Sequence, residues 1–107
     1  LTSEHFAQRL RAEFGQCVTD VRLFGSKARG EASADSDIDV LVLINRSDYA
    51  TKHGILWLAA EVSLAFNVLI NPRVIPLHSW QKMSEAEALF YRSVSAESLP
   101  LFPSVSA

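Results

Sequence analysis

The chain has 107 residues, a length that predicts one domain with a single modest core. Hydrophobic residues make up 49% and charged residues 21%, an ordinary globular balance, and no window approaches the ~20 continuous apolar residues of a membrane span. Net charge is −2 and the ten basic residues are scattered, which argues against a grip on nucleic acid, where a basic excess is the rule. Residues 1–11 alternate charged and apolar types and do not read as a signal peptide, while the start at Leu1 rather than Met leaves the native beginning open. Cys17 is the single cysteine, so it has no internal disulfide partner, and a reducing cytoplasm is the compartment expected.

Thr2 or Ser3 can cap a first helix that runs to about Phe14, with Phe6, Leu10 and Phe14 recurring on one stripe. Gly15 is a natural stop. Val18 to Phe24 reads as a strand, with Val21 and Leu23 on one face and Arg22 and Phe24 on the other. Gly25 breaks it, and the polar stretch from Ser26 to Ser36 predicts a short helix followed by a loop. The run from Asp37 to Ile44 is the strongest strand, apolar enough near its end to be buried on both faces. Ser47 or Asp48 can cap a long helix that reaches about Phe66. Its core stripe is Ile55, Leu58, Ala59, Val62 and Phe66, and a second stripe of Trp57, Ala60 and Leu64 runs beside it. Deep burial of that second stripe is the expectation, with a partner interface as the alternative. A third strand is predicted over Val68–Ile75, at an edge or a bulge because of Pro72. Ser79 would cap a last helix through about Tyr91, and the apolar tail 99–103 could lie back on the body. Trp80, Phe90, Tyr91 and Phe24 read as core or interface, and His5, His53 and His78 as dispersed surface residues. The order of elements predicts an α/β (α+β) fold, a small mixed sheet flanked by helices, without repeats or a linker.

Asp37 and Asp39 stand two apart on a predicted strand, a spacing that puts both carboxylates on one face. Two adjacent like charges repel, and a divalent cation would relieve that repulsion. Magnesium takes oxygen ligands, often one or two carboxylates with phosphate oxygens and water. Taken alone, the pair reads first as the ordinary solvated start of a strand or a helix cap. Gly25-Ser26 ends the preceding strand. A glycine there lets backbone approach a ligand, and the following N–H groups open a short helix, an anion-binding arrangement. Taken alone, this is an ordinary turn. Together, the two features place a phosphate site and a metal site at the ends of consecutive strands.

The stretch Gly25-Ser26-Lys27-Ala28-Arg29-Gly30, followed after Glu31–Ser36 by Asp37-Ile38-Asp39-Val40, resembles the signature of the DNA polymerase beta-like nucleotidyltransferase superfamily. In that signature Gly-Ser is separated from Asp-x-Asp by ten residues, as Lys27 to Ser36 separate them here. Ala28-Arg29-Gly30 and Ser36-Asp37 are similar to the version in minimal nucleotidyltransferases. The match covers residues 23–43. The resemblance implies that Gly25 and Ser26 bind the terminal phosphates of a nucleoside triphosphate and that Asp37 and Asp39 ligate Mg2+. It implies transfer of a nucleoside monophosphate, AMP from ATP, to a hydroxyl. Arg29 would help hold phosphate, or else pair with Glu31 or Asp35, and Lys27 would be solvated.

Full members of this superfamily usually carry a third carboxylate on a neighbouring strand. The corresponding strand here has no Asp or Glu, and the expected register places Leu69 at that position, with Asn67 and Asn71 as nearby amides. An amide can bond to a metal or a carboxylate but cannot serve as a general base. Glu61 is the nearest acid in sequence, on the long helix. The chain is also short for a second, acceptor-binding domain, so a macromolecular acceptor is expected. Minimal nucleotidyltransferases often pair with a HEPN protein (higher eukaryotes and prokaryotes nucleotide-binding), a toxin that the nucleotidyltransferase adenylylates as its antitoxin. The resemblance therefore implies a HEPN-like partner, with a homodimer as the other option. A catalytically weakened antitoxin or regulatory module acting by contact is the alternative function, and a structural domain with a coincidental motif is the third.

Overall fold

The computed structural model describes residues 2–30, 37–46 and 48–101, the side chains of Ser26 and Arg29 excepted. Helix α1 spans Thr2–Phe14, and a short 3-10 turn over Gly15–Cys17 leads into β1, Val18–Phe24. Helix α2 covers Ser26–Arg29, β2 covers Ile38–Ile44, and α3 covers Tyr49–Phe66. Strand β3 is Ile70–Pro76, followed by α4 at Leu77–Glu85, α5 at Leu89–Glu97 and β4 at Leu99–Pro100. Residues 31–36, Ser47 and residues 102–107 lie outside the described residues, as does the expected loop after α2.

The sheet has strand order β3-β2-β1-β4. β2 is antiparallel to β1 and parallel to β3, and β4 is antiparallel to β1. α3 is the crossover that a parallel β2–β3 pair requires. Alternation along the strands separates two apolar layers. Val21, Ile38, Val40, Val42 and Ile44 meet Phe6 and Leu10 of α1 and Ile55, Leu58 and Val62 of α3. On the opposite face Leu41 and Leu43 meet Val94 of α5, with Phe24, Ile75, Trp80 and Phe90 packed around them. Leu41, Val42 and their neighbours in β2 are almost wholly buried, as expected for a strand covered on both faces.

Three local devices fix the path of the chain. The Asp48 carboxylate caps α3 by accepting from the Thr51 backbone N–H at 3.1 Å, and it also accepts from the Thr51 hydroxyl at 2.9 Å. Asn67 closes α3 in the left-handed conformation, φ 54°, and its N–H bonds the Ser63 carbonyl. The Ser63 hydroxyl donates to Ala59 O at 2.7 Å and accepts from the Ile70 N–H at 3.0 Å, so it ties the end of α3 to the first residue of β3.

β1 occupies the predicted residues, and Pro72 does fall in an edge strand. β2 begins at Ile38 rather than Asp37, and β3 at Ile70 rather than Val68. The C-terminal helix is two helices. α4 starts at Leu77 without a side-chain cap, and Ala86–Ala88 turns the chain with Glu87 at φ 51°. There the Ala88 N–H bonds Met83 O at 3.0 Å, the 6→1 closure of a Schellman motif. No Gly or Pro marks this break, so it had no signature in the local sequence.

The second stripe of α3 is also a correction. Trp57 is 65% exposed and Leu64 84% exposed, and Ala60 is exposed with them, because the sheet and α1 cover only the opposite side of the helix. Phe66, assigned to the core stripe, is 42% exposed and lies against the His5 ring at 4.9 Å. The apolar tail lies back on the body as far as Leu101, where Leu99 and Pro100 pair with Leu23 and Arg22 and Leu101 N bonds Val21 O at 2.8 Å, while Phe102 and Pro103 lie outside the described residues. No helix among the described residues is long and apolar enough to cross a membrane.

Two substitutions test this account. Glu87→Gly removes the steric cost of a left-handed non-glycine residue, about 1 kcal/mol, and should raise the urea midpoint without changing its slope. Hydrogen bonds from Thr51, first among its causes, hold the Asp48 carboxyl below its ordinary value. A depressed carboxyl pKa stabilises the fold above the unfolded value and loses that contribution as pH falls through the folded one. Asp48→Ala should therefore lower Tm at neutral pH, and its deficit relative to the parent should shrink below about pH 4, as thermal melts across pH would record.

Candidate functional site

The ends of β1 and β2 meet where the sequence places its two polar motifs. Phe24, the last residue of β1, pairs with Asp39, so Gly25 emerges beside the second residue of β2. Gly25 has φ 74°, a left-handed conformation that the turn out of β1 requires. Its missing side chain matters equally, because a Cβ built at residue 25 would collide with the Asp39 carboxylate oxygen Oδ2. The bare backbone of the Gly-Ser turn and the carboxylate of the Asp-x-Asp motif are thus in direct apposition, although the ten residues from Lys27 to Ser36 separate the two motifs along the chain.

The turn continues into α2, where Ala28 N bonds Gly25 O at 3.1 Å and Gly30 N bonds Lys27 O at 3.3 Å. The backbone of Ser26 and Arg29 belongs to α2, and their side chains lie outside the described set, as do Glu31 and Asp35, the alternative partners of Arg29. Asp37 is exposed and directly precedes β2, one residue short of the ladder. Asp39 is half-buried. The sheet register adds a residue that sequence spacing misplaced. Asp39 pairs with Asn71 of β3, not with Leu69, which precedes the strand and is exposed. The Asn71 side-chain amide Nδ2 donates to Asp39 Oδ1 at 3.2 Å. Asn67, the other amide considered, caps α3 instead.

Two further groups occupy this face of the sheet. The Arg73 guanidinium lies 4.6 Å from the Phe90 ring centroid, and Phe24 meets the Phe90 ring edge-on at 5.4 Å. On the other face, a cavity of about 310 Å³ opens at the same end of the sheet, lined by Thr2, Ser3, Leu23, Lys27, Ile38 and Val68. Lys27 is half-buried there rather than standing free in solvent. Glu61 plays no part at this end, since it is bonded to Arg9 of α1 at 3.3 Å.

The donor set can be compared with what a cation would need. Among the described residues no group of three or more His, Cys, Asp or Glu side chains could hold a metal. What the chain offers is oxygen from Asp37 and Asp39, and a turn at Gly25 with no side chain to obstruct a ligand. That set suits a hard divalent ion taking one or two carboxylates and filling its remaining positions with phosphate oxygens and water. It does not suit a metal caged by protein ligands alone.

Known proteins share parts of this sequence and its fold. A protein of Methanocaldococcus jannaschii, provisionally named a protein adenylyltransferase, is 42% identical over 53 residues. That alignment takes in 49% of this chain and 54% of the relative, so the chain matches only about half the length of this curated protein. Among solved structures, a chain of a toxin–antitoxin complex with AMP-PNP superposes with TM-score 0.64 at 21% identity, covering 95% of this chain and 74% of its own. A chain of the tri-AMPylated Shewanella oneidensis HEPN toxin in complex with MNT antitoxin superposes with TM-score 0.56 at 20% identity, covering 94% of this chain and 69% of its own. These superpositions show a shared fold. The nucleotidyltransferase domain family matches residues 3–93, nearly the whole of the described chain, and the protein is a member of that family.

Proposed function

We propose that the chain transfers AMP from ATP, with Mg2+, to a hydroxyl on a protein partner of the HEPN type. The observation that carries this reading is the apposition of Gly25 and Asp39, where a phosphate-binding turn and a metal-binding carboxylate share one space that a Cβ would fill. Family membership supports nucleotidyl transfer as the reaction. The AMPylated HEPN toxin in one structural relative, and the name of the Methanocaldococcus jannaschii relative, support AMP and a protein acceptor. The net charge of −2 and the scatter of the ten basic residues speak against a nucleic-acid acceptor. The partner is a HEPN-type protein or a second copy of the chain, and the exposed stripe of α3 offers apolar surface for either. The single free cysteine suits a cytoplasmic setting.

The roles follow from chemistry. The Gly25 turn and the Ser26 hydroxyl hold the terminal phosphates, and Arg29 assists with charge. Asp37 and Asp39 hold Mg2+, which supplies charge neutralisation on the triphosphate and at the α-phosphorus. The acceptor oxygen forms the new bond to that phosphorus, the bond to the bridging oxygen breaks, and pyrophosphate leaves. The acceptor proton must go to water or to a group on the partner, because the residue beside Asp39 is Asn71 and an amide takes no proton at neutral pH. Base assistance is worth about 10² to 10⁴-fold, so unaided transfer should be slow. A contact-acting antitoxin that binds nucleotide without turnover is the second reading favoured by that same amide.

Calorimetry of ATP binding with and without Mg2+ tests the site. Binding should require the metal and should be lost in Asp37→Asn/Asp39→Asn, and a labelled-ATP assay with HEPN-type partners then separates transfer from contact. Metal-independent binding, or binding retained in the double variant, would remove the reading. Gly25→Ala gives a second test. It should destabilise the fold by about 1 kcal/mol or more through its positive φ, and it should abolish metal-dependent ATP binding in the fraction that remains folded.

A further inference from the structure

The Asp39 carboxylate is held from two sides. Oδ1 accepts from Asn71 Nδ2 at 3.2 Å, while Oδ2 lies against the bare α-carbon of Gly25. Asn71 and Asp39 are register partners on adjacent parallel strands, so the contact is built into the ladder rather than made by a wandering surface side chain. The amide orientation follows from chemistry, since its carbonyl turned toward a carboxylate would repel it. Asn71 also stands where an acid would complete a cluster with Asp37 and Asp39. An amide there gives Asp39 a donor and adds no negative charge.

Resting on the metal–nucleotide site proposed above, we infer that Asn71 is a positioning residue that orients Asp39 for a metal–triphosphate complex and leaves the site too weakly charged to hold the free cation. With two carboxylates, the cation arrives already neutralised in part by phosphate. A third carboxylate would raise affinity for the bare ion, because ligand charge sets the affinity of such sites. Groups that orient a metal ligand without touching the metal typically contribute about 10- to 100-fold in metal affinity. Asn71 is exposed on an edge strand and packs in neither apolar layer, so removing its side chain leaves the core untouched.

The test uses Mn2+ as a paramagnetic probe, with and without a non-hydrolysable ATP analogue, on the parent chain, Asn71→Ala, Asn71→Leu and Asn71→Asp. Asn71→Ala and Asn71→Leu should weaken binding of the Mn2+–nucleotide complex by about 10- to 100-fold with Tm unchanged. Asn71→Asp should bind free Mn2+ at least about tenfold more tightly than the parent, which narrows the preference for the complex. Parent-like binding of the complex by Asn71→Ala overturns the positioning role, and parent-like free-ion binding by Asn71→Asp overturns the charge argument. Failure of the parent chain to bind the complex overturns the site itself, and this inference with it. That outcome is distinct from binding in the parent that the Asn71 variants leave unaltered.

Discussion

Burial of β2 on both faces, with a ladder on each edge, is the constraint on which the site depends. Val40, Val42 and Ile44 enter the layer against α1 and α3, while Leu41 and Leu43 enter the layer against α5. A strand locked in this way cannot slip by one residue without exchanging its two faces. Its second residue, Asp39, is therefore delivered to a fixed point at the sheet end. Burial of the apolar residues that follow makes a half-buried carboxylate tolerable there. The two neighbouring strands then bring the groups that touch it, the Gly25 turn from β1 and the Asn71 amide from β3.

Much of this was legible in the chain itself. Alternation defined β1 residue by residue, and the Asp48 cap and the edge position of Pro72 follow from rules about side-chain oxygens and a missing N–H. The spacing of Gly-Ser and Asp-x-Asp pointed to one site because the family signature encodes a spatial apposition as a sequence interval. The misplacement of the third-acid position has a definite origin. Val68 and Leu69 look like strand residues, but the left-handed Asn67 spends them on the turn out of α3, so β3 starts at Ile70 and Asn71 faces Asp39.

The other departures are tertiary in origin. The turn at Glu87 closes with backbone hydrogen bonds alone, so no residue type announces it, and it lets Trp80 of α4 and Phe90 of α5 both reach the same face of the sheet. The α3 stripe of Trp57, Ala60 and Leu64 shows the limit of reading burial from hydrophobicity. A helix apolar around its girth states that it has two faces to cover. Which of them the same chain covers is decided by the number of layers, and α1 and the sheet together cover only one.

The Ser63 hydroxyl has a consequence for how such a protein can change over evolutionary time. By accepting from the Ile70 N–H it fixes the length of the connection from the end of α3 to the start of β3. One residue inserted or deleted between Ser63 and Ile70 would shift the parity of β3, turning Asn71 into the layer under α3 and presenting Ile70 or Pro72 to Asp39. A step of two residues would restore the parity but set Leu69 or Arg73 opposite Asp39, so the amide keeps its place only while the connection keeps its length. Loop length, ordinarily the most permissive property of a fold, becomes here a heritable setting of the chemistry beside Asp39.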